Sequence, residues 1–198
     1  MTAQFRENLI LGGEQISMAF CPPLPADHPR VVELTAEEID ALRKRALEES
    51  KSEGEEVLCS ELDLILGSTA CWRRYVGTWE VRDGQLFLTS IEGRFKLVGK
   101  EPVLADWFMG VLRVPCGEML AYVHMGFGSV YEEELHIHVE RGRVAGTRVY
   151  NNRGKEIDTR RLGLRNLPGR ENRFRGDPCT DSCTAADRPM DWFYPKVG

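Results

Sequence analysis

From Val130 to Val139 the chain alternates with period two: Tyr131, Glu133, Leu135, Ile137 and Val139 fall on one side, and Glu132, Glu134, His136 and His138 on the other. Successive side chains point to opposite faces in an extended chain, so this run is predicted to be a strand with one face for a core and one for water. A strand needs partners, and the residues before it supply them. Val111 to Val114 reads as a strand, Pro115-Cys116-Gly117-Glu118 as a turn and Met119 to Met125 as the returning strand. Gly126-Phe127-Gly128-Ser129 turns the chain once more, so residues 105–140 form a three-stranded meander.

The rest of the chain is punctuated in the same way. Two apolar runs around Gly12-Gly13, between Asn8 and Phe20, predict a hairpin, and the proline-rich CPPLPADHP after it predicts a crossing loop. Thr35, with Glu38 three residues later, has capping-box spacing. Ile39, Leu42, Ala46 and Leu47 then share one stripe, so a helix starts here with a single face to lay on the sheet. Leu62, Leu64 and Leu66, alternating with Glu61 and Asp63, predict a strand over 57–66. A longer strand is expected over 69–81, with Cys71, Arg73, Tyr75, Gly77 and Trp79 on one face. Gly77 in its middle marks a bulge or a bend. Asp83-Gly84 is a hairpin turn signal returning the chain through Leu86 to Ile91. Phe95 to Val98 adds a short strand, and Val144 to Tyr150 closes the series after Arg141-Gly142-Arg143.

Eight to ten short strands with glycine punctuation and one helix predict a mainly β fold. The expected form is a strongly bent antiparallel sheet or partly closed barrel, with an N-terminal helix packed on it and a β-sandwich as the alternative. At 198 residues the chain is long enough for one full core and short for two. Residues 1–165 are read as a single domain. Residues 166–198, rich in arginine and carrying Cys179 and Cys183, are read as an irregular tail in which Trp192, Phe193 and Tyr194 are the available anchors.

A formal net charge of −5 argues against nucleic acid as the main partner. No run approaches the roughly 20 apolar residues of a membrane span, and the first residues lack the basic start and continuous apolar run of a signal peptide. A cytoplasmic location is the expectation. Six cysteines dispersed over the chain are not a disulfide framework, and in that compartment they stay mostly reduced. The Cys179-x-x-x-Cys183 pair lacks the spacing and the further ligands of a zinc site.

The string ADWFMGVLRVPCGEMLAYVHMGFGSVYEEEL, preceded by STACWRRYVGTWEVRDGQLFL, resembles a family of uncharacterised bacterial proteins that share A-D-W-aromatic-x-G, Y-V-H-M-G and G-x-G-S-x-Y-E elements. The resemblance covers roughly residues 68–140. It implies no activity, cofactor or catalytic residue.

Two groups of residues could carry chemistry. Asp106, Trp107, Arg113, His124, Tyr131 and Glu132 combine an aromatic wall, an imidazole, a fixed cation and carboxylates, the residue types of a polar ligand pocket. In that reading the Trp107 indole forms one wall and offers its N–H to a ligand. The competing reading makes His124 a satisfied structural group and Trp107 a core anchor. The second group, His136, His138 and Glu140, shares one strand face within metal-ligand reach. The preferred reading there is a solvated outer face shared with Glu132 and Glu134, without metal. No Walker loop, Rossmann fingerprint, Gly-x-Ser-x-Gly or His-Glu-x-x-His occurs. The expected function is therefore a cytoplasmic binding or interaction module without cofactor, holding a small ligand or protein partner on the concave sheet face around Trp107 and Tyr131. The alternative is a small enzyme using His124 with Asp106 or Glu132 as an acid/base pair.

Overall fold

The computed structural model describes residues 2–52 and 60–155. The chain opens with the predicted hairpin, β1 (Glu7–Leu11) and β2 (Glu14–Met18), turned by Gly12 and Gly13. It then crosses over and returns as β4 (Tyr75–Arg82), which lies parallel to β1 with Leu9 opposite Trp79. A parallel pair cannot be closed by a tight turn. The crossover holds β3 (Val31–Glu33), α1 (Ala36–Ser52) and α2 (Glu61–Gly67).

After β4 the topology is antiparallel. Asp83 and Gly84, both at positive φ, turn the chain into β5 (Gln85–Gly93). Next come β6 (Phe95–Leu97), which pairs with β3 in a separate two-stranded ribbon, and β7 (Val103–Leu104), which pairs with β5. The meander β8 (Gly110–Ala121), β9 (Val130–Glu140) and β10 (Arg143–Asn151) completes an eight-stranded mixed sheet ordered β2-β1-β4-β5-β10-β9-β8, with β7 beside β5. Over the described residues the protein is mainly β with two α-helices, and the sheet is open. Its edges meet at one point, where the Ala19 N–H donates to the Arg113 carbonyl at 2.8 Å just past the end of β2. On the opposite side the β5–β10 ladder holds a single register pair, Arg143 with Gln85. Side chains from β1, β2, β4, β5, β8 and β9 fill one core, including Leu9, Met18, Trp79, Leu88, Leu112 and Ile137.

Three sequence expectations are corrected. The strand expected over 57–66 is α2 over its described part. Ser60 and Asp63 form a reciprocal capping box, and Ile65, 1% exposed, is the one residue of this helix buried in the protein. Apolar residues at alternate positions in so short a run fit either period, and the cap decides in favour of the helix. Strand β4 starts at Tyr75: Thr69–Cys71 is a 3-10 turn capped by Ser68, and Trp72 is 74% exposed. Pro115 to Glu118 is not a turn, because β8 runs straight through it. Gly117 (φ 75) takes up a register shift against β9, and the Glu132 carboxylate occupies the space a Cβ would need. The meander therefore consists of β8, β9 and β10.

Helix α1 carries the predicted cap: the Thr35 N–H donates to Glu38 Oε2 at 2.9 Å and the Glu38 N–H to Thr35 Oγ1 at 3.2 Å. It is held by α2, through Arg43 to Asp63 at 2.9 Å, and by the β3/β6 ribbon, through Lys96 to Glu38. Helix α2 packs over β4 and β5 of the sheet. The expected boundary at residue 165, Cys179 and Cys183, and the anchors Trp192 to Tyr194 lie outside the described residues.

Candidate functional site

The six residues of the expected pocket are distributed over the sheet. Asp106 and Trp107 lie in the turn after β7, beside the β9–β10 turn, where the Gly142 N–H donates to the Phe108 carbonyl at 3.1 Å. Trp107 is half-buried against the core, and its indole N–H donates to the Pro23 carbonyl at 2.9 Å, fastening the crossing loop. That bond commits the N–H to backbone and corrects the expectation that it is open to a ligand. Asp106 is exposed. At the other end of β9, His124 is exposed beyond β8, with Nδ1 2.7 Å from the Tyr122 hydroxyl. The 11 residues of β9 separate the two ends, a span of roughly 30 Å at about 3.3 Å per residue. His124 and Asp106 therefore do not form an acid/base pair.

Tyr131 and Glu132 sit near the start of β9 on opposite faces. The Tyr131 hydroxyl accepts from Arg6, whose guanidinium lies 4.9 Å from the ring centre. Glu132 accepts from the Glu118 N–H at 3.2 Å and from Arg153 at 3.1 Å, and these bonds hold its carboxyl below the usual carboxylate range, the Glu118 amide most of all. Arg113, in the first half of β8, grips Glu134 with two nitrogens, at 2.9 to 3.2 Å.

The outer-face row is only partly solvated. His136 Nε2 is 3.1 Å from Glu134, and its ring is 4.3 Å from that of Tyr150. Glu134 is buried, because Arg113 from β8 and Tyr150 from β10 close over the row from either side. His138 and Glu140 remain exposed. Among the described residues, no three histidine, cysteine or acidic side chains come together as a metal site.

A cluster that sequence reasoning missed lies at the start of β1. Glu7 is fully buried. Its Oε1 accepts from Arg73 Nε at 2.7 Å, and its Oε2 from the Gly77 N–H at 2.5 Å and the Trp79 indole at 3.0 Å. Arg73 also donates to the Phe5 carbonyl at 2.9 Å. Gly77 is where it is because a Cβ there would stand 2.5 Å from Glu7 Oε2. The register of β4 and β5 shifts one residue later. Burial pushes the Cys21 thiol up, aided by Glu7, and raises the Tyr75 hydroxyl to about 12. The signal was an arginine on a strand face with Trp79 and Gly77, which called for a buried acid. Both Glu7 oxygens are thus bonded, Arg73 Nη1 is buried without a hydrogen-bond partner among the described residues, and the cluster serves the fold.

A cleft lies elsewhere in the fold. Glu33, Leu34, Ala36, Ile39, Asp40, Arg43, Leu66, Arg74 and Arg94 line a cleft of about 470 Å³ between α1, α2 and the β3/β6 ribbon. That volume is in the range of small-molecule sites, roughly 300 to 1,000 Å³. Leu34 is a buried apolar residue of the lining, with Ile39 and Leu66 half-buried beside it, and Arg43, Arg74 and Arg94 belong to the same lining. Residues 33 to 94 supply all of these from five separate segments, so no contiguous motif marks the site.

No family model, curated protein or solved structure significantly matches the chain.

Proposed function

We propose that this protein is a non-enzymatic binding module, and that its site is the cleft between α1, α2 and the β3/β6 ribbon. The observation that supports this is the union of ligand-sized volume, apolar residues and three arginines in one lining. The inner face of the sheet is filled with its own side chains, so a ligand is better accommodated here than over Trp107 and Tyr131. The proposal includes a cytoplasmic setting and membership of the uncharacterised bacterial family that the aromatic and glycine elements resemble. Among the described residues, no helix is long and apolar enough to cross a membrane.

The test is an amide NMR screen of the full chain against a library of small polar and amphiphilic compounds. Hits should shift amides of Glu33 to Arg43, Leu66, Arg74 and Arg94, and Leu66→Trp, which fills the cleft, should abolish them. Shifts confined to Tyr122 through Tyr131, or insensitive to Leu66→Trp, would refute this location. Turnover that disappears in a folded His124→Ala variant would refute the non-enzymatic reading and move the chemistry to the Tyr122–His124 pair.

A further inference from the structure

The charges around the cleft do not cancel evenly. Arg43 is held by Asp63 at 2.9 Å and by Asp40 at 3.5 Å, and Arg94 by Glu33, with Nε to Oε1 at 2.6 Å. Arg74, exposed on the same wall, has no ion pair or side-chain hydrogen bond among the described residues. Its backbone is fixed on both sides, its N–H donating to the Cys71 carbonyl at 2.9 Å and its carbonyl accepting from the Arg94 N–H at 2.8 Å. That backbone is left-handed, with φ 59. Few residues other than glycine adopt this conformation, because the Cβ crowds the neighbouring carbonyl. A glycine would occupy the position without strain. What arginine adds is a positive side chain on the lining of a cleft whose other two cations already have carboxylates.

From this placement we infer that the cleft takes a small amphiphile with a single negative charge, a carboxylate whose head meets Arg74 and whose apolar body lies on Leu34, Ile39 and Leu66. A monoanion is the fitting charge because Glu33 and Asp40 line the same space and would repel a second one. Arginine suits the head group, since its planar fork matches a carboxylate with two parallel donors. The inference rests on the cleft being the binding site, and the experiment separates the two claims.

Octanoate, octyl phosphate, 1-octanol and octylamine are titrated into the full chain and followed by amide NMR, with Arg74→Gly and Arg74→Lys alongside. Octanoate should bind saturably at the cleft, about tenfold more tightly than 1-octanol, as one charge-assisted contact allows, and octylamine least of all. Arg74→Gly should reduce octanoate to the level of 1-octanol while melting no lower than wild type, since glycine relieves the left-handed backbone. Arg74→Lys should keep part of the preference. If octanoate and 1-octanol bind equally at the cleft and Arg74→Gly changes neither, the charge inference fails and the cleft survives. If octyl phosphate binds more tightly than octanoate, the monoanion fails. If none of the four perturbs the cleft, both claims fall together.

Discussion

Arg73 and Arg113 each hold a glutamate, and the two pairs are opposites. In the first, the side chains of Arg73 and Glu7 are 3% and 0% exposed; in the second, those of Arg113 and Glu134 are 37% and 11% exposed. Glu7 is also bonded by a backbone amide and an indole, whereas Glu134 shares its carboxylate with Arg113 and His136. Taking both charges out of water is expensive, and donors aimed at the carboxylate recover part of that cost. The buried pair has therefore shaped its surroundings. Gly77 gives up a Cβ, Trp79 turns its N–H inward, and Phe5 lends a carbonyl. The outer pair needed only ordinary cross-strand neighbours. The Glu7–Arg73 pair thus sits at the parallel β1–β4 seam, where Glu7 also bonds Gly77 and Trp79, whereas the Arg113–Glu134 pair joins antiparallel neighbours.

The same deletion at each pair should show this. Arg73→Ala leaves Glu7 buried without its cation and is expected to cost about 3 to 5 kcal/mol, enough to threaten folding. Arg113→Ala should cost about 1 kcal/mol, because Glu134 keeps His136 and some access to water. Chemical denaturation of both variants gives the two values. Losses of similar size would erase the distinction drawn between the pairs.

Much of the fold was legible wherever its cause is local. The Asp83-Gly84 turn, the Thr35/Glu38 cap and the alternation of β9 each depend on a few adjacent residues, and all are present. Legibility ended where a local pattern fits two structures. The LDLIL run satisfies strand and helix periods alike, and Gly117 serves a bulge as well as a turn. It also ended where the deciding partner is distant in the chain: Glu7 and Arg73 are 66 residues apart. The candidate site belongs to that second kind. Asp106 and His124 have suitable chemistry, but β9 holds them at opposite ends. Arg74 looks like one of many charged residues until its φ and its place on the cleft wall are known.

Acid titration sharpens the comparison with a smaller effect. Burial pushes the Glu7 carboxyl above its ordinary value of 4.5, outweighing Arg73, the Trp79 indole and the Gly77 amide, all of which pull it down. A raised folded value means that the folded state holds the proton more tightly than the unfolded chain. The stability linked to Glu7 is then complete below pH 4.5 and is lost as pH rises through the folded value. The stability of wild type relative to Glu7→Gln should therefore fall as pH rises above 4.5, measured by urea denaturation over a pH series. A relative stability that rises towards neutral pH would show that the donors prevail over burial.

The smallest effect is expected on the outer face, and it tests how far the Arg113–Glu134 pair depends on its neighbours. His138 is exposed between Val111 and Gly146, so His138→Ala should stay within about 0.5 kcal/mol of wild type. His136 touches both Glu134 and the ring of Tyr150, itself overlaid by Arg148 at 4.9 Å, so His136→Ala should cost about 0.5 to 1.5 kcal/mol, the range of a ring pair. A uniformly solvated face would make the two substitutions equivalent. In this arrangement they differ, because β10 lays Tyr150 over one histidine and leaves the other bare. Thermal melts of the two single variants, made in the wild type and again in Arg113→Ala, decide the matter. If His136 steadies Glu134, its loss should cost more once Arg113 is gone, since the carboxylate then has neither partner. Equal costs in both backgrounds would reduce His136 to a ring packed on Tyr150.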